Sequence, residues 1–571
     1  MIPEEMARMI RKYAIKNAHE YGSARSENIL GKVIKSVDRS QIPELRAEID
    51  SIVQKINAMP RSMIEEEYKS HEKEFNEQYE KKVEDSAKPK MTLDGAVGGN
   101  FATRFPPEPG GYMHIGHAEN VFLGREFANI YDGRLFLYFD DTNPEKEKQE
   151  FVDAFKRDLE WLGISFDKEY YASDSIGRSY DFARKLIADG RAYVCECSIE
   201  DMRKMRFDGT ECKHRKQSSK INGEKFEKMV RGECDEGSAV VRFAGDMKSL
   251  NTTLRDPTIF RIKKHTHYRQ GSKYVLWPTY DFNTPINDSL NGVTDVLRSK
   301  EYELRDALDY AILDALGLDK PRIHSYARLI IKGNTTHKRE IKKLLEEGLI
   351  SGWDDPRLVT IDALRRRGVQ PQAIKEFALR FGVSRSDSVV DMAFLMAENK
   401  KLIDPVSRRL FFVGDPIRLV VENAPNATAR LKLHPTADMG YRECPTNGRF
   451  YISAEDSRDL KVGDVLRLKD LYTIRIKSIA DGQVTAEYSN GEPDKKIQWV
   501  AENGKIRCSV IIPGNPIAED GSFNSDSMAM VEGFAESYAA GLAKGDIIQF
   551  ERFGFAILDM KEEMRFIFIS K

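Results

Sequence analysis

The sequence predicts a multidomain chain. Its parts are an α/β domain on a parallel sheet, an insertion that interrupts it, a helical domain, C-terminal all-β barrels and a helical N-terminal extension. Three observations carry that expectation. First, 571 residues are too many for one hydrophobic core and suggest three to five domains. Second, Ala102-Thr103-Arg104-Phe105, a helical pattern and the apolar run Leu135-Phe136-Leu137-Tyr138-Phe139 follow one another as a βαβ unit does. Third, from about residue 404 the chain turns to short alternating strands broken by Gly and Pro.

In chain order, Pro3 suits a first helical turn, and Met6, Ile10, Tyr13 and Asn17 follow at helical spacing. A second helix is expected through Ile42, Leu45, Ile49, Ile52 and Ile56. The highly charged residues 63–85 read as a solvated helix or linker, with a hinge at Lys88-Pro89-Lys90. After the first strand, Pro106 and Pro107 stop it and Gly110-Gly111 allows a tight turn. A helix should begin near His117, and Gly133 should open the next strand. Residues 190–275 look irregular, basic and cysteine-bearing, and residues 340–400 return to helical patterning. Beyond them Tyr472, Ile474 and Ile476 alternate with polar neighbours, and 545–550 and 553–558 read as paired strands.

Hydrophobic residues make up 41% and charged residues 32% of the chain, enough for packed cores and a soluble surface. No apolar run is long enough to cross a bilayer, and the first residues lack the basic and apolar regions of a secretory signal. A cytoplasmic protein with no membrane contact is expected. The net charge of −2 argues weakly against nucleic acid, because 89 Lys and Arg can still build a local basic face. Six cysteines are too few for a disulfide scaffold in a chain of this length.

The strongest chemical signal is Arg104-Phe-Pro-Pro-Glu-Pro-Gly-Gly-Tyr-Met-His114-Ile-Gly-His117, set between a strand and a helix start. Gly116 lets a flat adenine or ribose lie against the backbone. A helix start offers free N–H groups to phosphates, and His114 and His117 can donate to phosphate oxygens as charge builds. On these residues the chain resembles class I aminoacyl-tRNA synthetases, and more narrowly the glutamyl and glutaminyl enzymes of the archaeal and eukaryotic type. The resemblance runs from about residue 100 to the C-terminus. It takes in Asp140-Asp141-Thr142-Asn143-Pro144, Tyr280-Asp281-Phe282, Gly352-Trp353-Asp354-Asp355-Pro356-Arg357 and Leu364-Arg365-Arg366-Arg367-Gly368.

The resemblance implies a Rossmann-type catalytic domain in two halves, 96–190 and 276–335, around an acceptor-stem-binding insertion at 191–275. A KMSKS-like loop and helical domain would follow at 336–403 and anticodon-binding barrels at 404–571, behind an extension of residues 1–95. Nothing in that extension points further than tRNA or protein contacts. The family's second signature follows a strand bearing Arg-Leu, which Arg328-Leu329 fits. The loop itself reads Asn334-Thr335-Thr336-His337-Lys338-Arg339 and keeps only the second lysine and the base after it. Lys338 would meet the leaving pyrophosphate, Arg328 or Arg339 would share phosphate charge, and the effect of His337 on loop closure stays open. The expected catalytic residues are His114, His117 and Lys338; Gly116, Arg328, Leu329 and Lys338 would hold ATP with Mg²⁺.

Asp140, at the end of a buried strand, is placed to pair with the substrate ammonium, and Tyr280 would close the pocket. Arg298 decides between the two amino acids. Glutamyl enzymes resemble the chain in carrying arginine there, where glutaminyl enzymes carry a small uncharged residue. Arg104 and Arg298 would meet the two carboxylates of L-glutamate, and a neutral amide would leave one buried arginine without a partner. Cys195, Cys197, Cys212 and His214 suit a structural tetrahedral Zn²⁺. Arg261, Lys263, Lys264, His265 and Arg269 would contact tRNA phosphates; Arg365-Arg366-Arg367 reads equally as a tRNA contact or a solvated surface. The expected activity is ATP-dependent loading of glutamate onto tRNA(Glu), by a monomer. A glutaminyl enzyme and a non-catalytic tRNA-binding protein remain as alternatives, and charging of tRNA(Gln) as well is left open.

Overall fold

A computed structural model describes residues 4–21, 23–26, 29, 42–61, 63–68, 91–385, 388–480, 482–493 and 495–571. They form two compact units, Met1–Pro89 and Lys90–Lys571. The expected hinge at 88–90 and most of the charged run after residue 68 lie outside the described residues.

In the first unit, α1 (Glu4–Tyr21) and α2 (Ile42–Asn57) pack through their apolar stripes. Ile10, Ala14 and Ile15 meet Leu45, Ile49 and Ile56 in one buried cluster, as the helical spacing requires. Met6 and Tyr13 pack at its edge, and Asn17 is buried because its side chain caps the N–H of Arg25.

The second unit opens with β1 (Ala102–Phe105), α3 (Ile115–Ile130) and β2 (Arg134–Phe139), the predicted βαβ unit. After α4 (Gln149–Trp161), β3 (Lys168–Tyr171) completes a parallel sheet in the order β1-β2-β3. The helix after β1 starts two residues earlier than its histidine suggests, with His114 as its N-cap. Strand β2 opens at Arg134, after Gly133, whose position lies against Phe101 O.

Helix α5 (Ile176–Ala188) leads into the insertion, which is more regular than its composition suggests. It holds β4 (Ala192–Cys195), α6 (Ile199–Asp208), α7 (Ser219–Val230), β5 (Val240–Phe243), β6 (Thr258–Ile262) and β7 (Leu276–Pro278). The four strands form one antiparallel sheet in sequence order, so the unit closes just past residue 275. The chain then returns through α8 (Tyr280–Leu290), β8 (Asp295–Ser299), α9 (Asp306–Leu316) and β9 (Arg322–Tyr326). Strands β8 and β9 pair in parallel. Thr294 N donates to Ala102 O at 2.9 Å, and Ala102 N to Thr294 Oγ1 at 2.9 Å, which sets β8 beside β1. The resulting order β3-β2-β1-β8-β9 reverses between β1 and β8, and ligands of such sheets bind beyond the carboxyl ends at that reversal.

Strand β10 (Leu329–Ile331) pairs in parallel with β11 (Ser388–Val390), which falls inside the expected helical region. Between them lie α10 (Lys338–Glu346), α11 (Ile361–Arg366) and α12 (Pro371–Leu379), and α13 (Met392–Ile403) follows. The remainder forms two seven-stranded sheets and a separate two-stranded hairpin, Ala427–Lys432 antiparallel to Tyr441–Thr446. The first joins strands at 408–414 to strands at 506–570; the second is built wholly from 416–501. The chain therefore leaves the first sheet, completes the second and returns. The predicted pair at its end is present, with Ile547–Phe550 antiparallel to Gly554–Met560. Among the described residues no helix is long and apolar enough to cross a membrane.

Candidate active site at the carboxyl ends of the parallel strands

The start of α3 is built by its own histidines. His114 Nδ1 accepts from Gly116 N, and His117 Nδ1 accepts from His114 N, both at 3.2 Å. This is a capping box made from two imidazoles, stacked with centroids 3.7 Å apart. Burial, helped by Lys338, lowers His114 to about 3, and burial with His114 lowers His117 well below its usual value. Both rings are therefore neutral at pH 7. With each Nδ1 accepting, the proton of each ring sits on Nε2, so the pair presents two N–H donors. Gly116 matters in a way the sequence did not show: a Cβ there would stand 3.2 Å from the His114 ring.

Lys338 is the first residue of α10, and its ammonium reaches back to the loop before α3. Nζ donates to Glu108 O at 3.1 Å and lies 3.7 Å from Glu108 Oε2. Its methylenes lie over Gly111, where a Cβ would meet Lys338 Cδ at 3.0 Å. Arg328 lies close enough to help lower His114, and pairs with Glu301 at 2.7 Å. Leu329 is buried, and the Glu119 carboxyl lies beside its backbone. Burial lifts that carboxyl to about 8, so it is protonated at neutral pH. Sequence reasoning passed over Glu119, whose only signal is an acid two residues beyond His117 on the buried face of α3.

Arg104, Tyr280 and Arg298 come together at the reversal of strand order. Burial raises the Tyr280 phenol, and the cations of Arg104 and Arg298 both act against that rise. Arg104 Nη1 also reaches the carbonyl of Leu297, the residue before Arg298, which makes the two guanidiniums neighbours. Each, however, already has an acid partner in the chain. Arg104 Nε donates to Asp288 Oδ1 at 2.9 Å and Oδ2 at 3.1 Å, and its Nη1 to Leu297 O at 3.3 Å. Arg298 Nη1 donates to Asp309 Oδ2 at 2.7 Å and its Nη2 to Asp306 Oδ1. Its buried Nε has no hydrogen-bond partner. This corrects the expectation that glutamine would strand an unpaired arginine, because α8 and α9 supply the countercharge. Signals for these acids existed: Asp288 lies eight residues after Tyr280 on α8, and Asp306 and Asp309 lie three apart on α9, both same-face spacings.

Asp140 ends β2 with its backbone N–H on Pro107 O at 3.0 Å. Burial, then the charges of Glu108 and Asp141, lifts it to about 7, with a weak donor from Thr142 at 3.4 Å. The acid thus sits beside the loop that holds Lys338.

In the insertion, one ligand atom each from Cys195, Cys197, Cys212 and His214 lie within 4.8 Å of one another. The thiols of Cys195 and Cys212 are 3.7 Å apart, and His214 Nδ1 is 3.3 Å from Cys197 Sγ and 3.8 Å from Cys212 Sγ. Zn–S bonds of about 2.3 Å at tetrahedral angles place two sulfurs roughly 3.8 Å apart, so the donors fit that ion. His214 Nε2 faces Glu196 at 3.7 Å, the carboxylate support that ligating histidines usually have.

The basic residues expected to meet tRNA are mostly engaged within the chain. Lys263 bridges Glu145 at 2.9 Å and Glu236 at 3.3 Å, Lys264 pairs with Asp235 at 3.1 Å, and His265 faces Glu236 at 3.9 Å. Arg261 is only partly buried, with an unpartnered Nε. Arg269 holds Asp174 at 2.8 Å and stacks on Tyr171. Arg365 pairs with Asp158 and Asp362, Arg366 grips Asp559 through two bonds of 2.9 Å, and Arg367 is buried. Arg366 thus joins the helical region to the first C-terminal sheet, while Arg365 and Arg366 keep part of their surface exposed along a cavity they share with Trp353 and Lys544.

A different cationic surface lies between the two C-terminal sheets. A cavity of about 680 Å³ is lined by Arg409, Arg430, Lys432, Arg467, Lys469 and Arg552, with Tyr441, Gln549 and the acids Asp470 and Glu551; Arg409, Lys469 and Arg552 are paired with Asp404, Glu551 and Asp456. The Arg430 guanidinium stands 4.1 Å from the Tyr441 ring centroid. Arg430 and Lys432 have no ion-pair partner among the described residues.

These features meet what known proteins show. A family model of tRNA synthetases class I (E and Q), catalytic domain, matches residues 100–404. Two models of the same family's anti-codon binding domain match 407–490 and 496–559. A glutamate–tRNA ligase of Nitrosopumilus maritimus is 39% identical over 99% of both chains. Another from Cenarchaeum symbiosum is 40% identical over 96% of this chain and 97% of its own, and one from Thermococcus kodakarensis 37% identical over 97% of both. The chain belongs to the class I tRNA synthetases of the E and Q family.

Proposed function

We propose that the chain joins L-glutamate to tRNA(Glu) in two steps. The α-carboxylate of glutamate attacks the α-phosphorus of ATP, forming glutamyl-adenylate and releasing pyrophosphate. A hydroxyl of the terminal tRNA ribose then attacks the acyl carbon and releases AMP. The observation that carries the amino-acid choice is the pair of buried guanidiniums, Arg104 and Arg298, linked through Leu297 O where the strand order reverses. Near full-length likeness to archaeal glutamate–tRNA ligases supports the same reading.

The residues divide the work by position. His114 and His117 offer two Nε2–H donors to the phosphate oxygens, and Lys338 is drawn from Glu108 toward the departing pyrophosphate. Mg²⁺ carried by ATP would add countercharge to those phosphates. Asp140 binds the substrate ammonium, and the unspent Nε of Arg298 is the donor for the side-chain carboxylate. Glutamate is preferred because its carboxylate makes a charge-assisted bond with that guanidinium, where the amide oxygen of glutamine offers only a neutral acceptor. A zinc ion on Cys195, Cys197, Cys212 and His214 would hold the insertion's shape, and it leaves no open coordination position for chemistry. The cavity between the C-terminal sheets is the seat for the anticodon loop, with single-stranded bases stacking at Arg430–Tyr441.

The test is aminoacylation of purified tRNA(Glu) and tRNA(Gln) with radiolabelled glutamate and, separately, glutamine. Glutamate is expected on tRNA(Glu), and glutamate on tRNA(Gln) would widen the tRNA range. Faster charging with glutamine, or tRNA binding with no charging at all, would overturn the proposal.

A further inference from the structure

Asp140 is held by its neighbour, and that neighbour is held by the insertion. Asp141 is completely buried. Its carboxylate accepts from Ser173 N at 2.7 Å, Ser173 Oγ at 2.8 Å and Tyr268 Oη at 2.8 Å. Its backbone O lies 3.1 Å from His267 Nε2. His267 Nδ1 accepts from both Arg269 N and Gln270 N at 3.1 Å, and burial lowers the ring to about 4. The ring is therefore neutral with its proton on Nε2, so it is a fixed donor to Asp141 O.

The next two side chains clamp the adjoining segment. Arg269 Nη2 donates to Asp174 at 2.8 and 3.1 Å while its guanidinium stacks 3.6 Å over Tyr171, and Gln270 Nε2 donates to Asp174 Oδ1 at 2.8 Å. The turn 267–270 is itself closed by paired backbone bonds between His267 and Gly271, of 3.0 and 2.9 Å. A tight turn at the end of the insertion thus grips the carboxyl ends of β2 and β3 at once. The residue directly before its main anchor is Asp140.

We propose that Asp141, gripped by Tyr268 and His267, is the positioning residue for the substrate's ammonium site. The insertion thereby sets the place of the Asp140 carboxylate without touching the substrate. This rests on Asp140 receiving the ammonium, as argued above. Like charges on Asp140 and Asp141 push each other apart, and the donors on Asp141 fix the direction in which Asp140 is left. With one donor lost the others still hold Asp141, so the fold should survive at some cost in stability while the acid is less well held.

Tyr268→Phe removes the hydroxyl and keeps the ring, and Ser173→Ala removes the second side-chain donor. Aminoacylation kinetics at saturating tRNA are compared with those of Asp140→Asn. Each of the two donor variants should raise KM for glutamate about tenfold, with KM for ATP and for tRNA unchanged within twofold and a cooperative melting transition retained at a modestly lower temperature. Asp140→Asn should raise glutamate KM further. If Asp140→Asn raises glutamate KM and neither donor variant does, the positioning role is wrong while the ammonium site stands. If Asp140→Asn leaves glutamate KM unchanged, the ammonium site itself is wrong and the inference goes with it. A rise confined to tRNA KM in the donor variants would assign the turn to tRNA docking alone and overturn the proposal.

Discussion

Two regions of this molecule gather cations, and they do it in opposite ways. At the reversal between β1 and β8, Arg104 and Arg298 are buried and each is tied to aspartates from α8 and α9. In the cavity between the C-terminal sheets, Arg430 and Lys432 face open space without acid partners. Buried, paired guanidiniums are fixed in direction before a substrate arrives, at the cost of most of their free charge. Open, unpaired ones give up direction and keep their field, which suits a polyanion that must be attracted and then fitted. On the proposed function, one region supplies geometry and the other supplies affinity. Changes in the first should therefore act on the chemical step or on small-substrate binding, and changes in the second on tRNA binding.

The largest effect should come from Lys338. Lys338→Ala is expected to lower kcat of aminoacylation at least a hundredfold, as loss of one transition-state donor does (about 3 kcal/mol). The dissociation constant for tRNA, measured by filter binding, should stay within twofold. His117→Ala should lower kcat similarly and in addition loosen the helix start, because its ring caps His114 N. A matching loss of tRNA affinity in Lys338→Ala would erase the division between the two regions.

The insertion should respond to its metal. One zinc per chain is expected by elemental analysis of protein purified without chelator, and none in Cys197→Ser. Hydrogen exchange should quicken over residues 192–278 and remain unchanged in the C-terminal sheets. Uniform loss of protection would mean that the metal supports the whole unit.

A smaller effect, graded with pH, belongs to Asp140. Its carboxyl is lifted to about 7, so below that it is neutral and cannot pair with an ammonium. The kcat/KM for glutamate should fall up to tenfold per pH unit below about 7 and level off above it. Asp141 at about 6, the raised Glu147 and Asp309 at about 7 titrate nearby, so the assignment needs a variant. In Asp140→Asn this acid limb should disappear while the value stays low throughout. Persistence of the limb would give the titration to Asp309 and its hold on Arg298.

The same contrast separates what could be read in the sequence from what could not. The strand Ala102–Phe105 and the histidine-capped helix were legible because their causes are local: prolines that end a strand, side chains that cap a helix start. The thiol and imidazole pairs were legible because ligand chemistry is specific. The acid partners of the arginines were hidden, since Asp288 meets Arg104 across 184 residues. The basic residues of the insertion misled for the same reason: Lys263 is engaged by Glu145, 118 residues away. A run of cations gives the charge available; only the fold shows how much of it has been neutralised. The nesting of one C-terminal sheet inside the other was likewise beyond reach, because alternation within strands is blind to which strands pair.

The smallest expected effects lie in the C-terminal cavity. Arg430→Ala and Lys432→Ala should each raise KM for tRNA severalfold and leave kcat at saturating tRNA unchanged. Each should also flatten the dependence of log affinity on log salt, by about 0.7 per lost single-strand phosphate contact. Tyr441 separates stacking from charge. Tyr441→Phe keeps a ring under Arg430 and should behave as wild type. Tyr441→Ala removes the platform, worth roughly 1–3 kcal/mol where a base stacks, without changing the salt slope. A fall in kcat with KM unchanged would show that this cavity acts on the chemical step, and the two regions would have to be treated as one coupled machine.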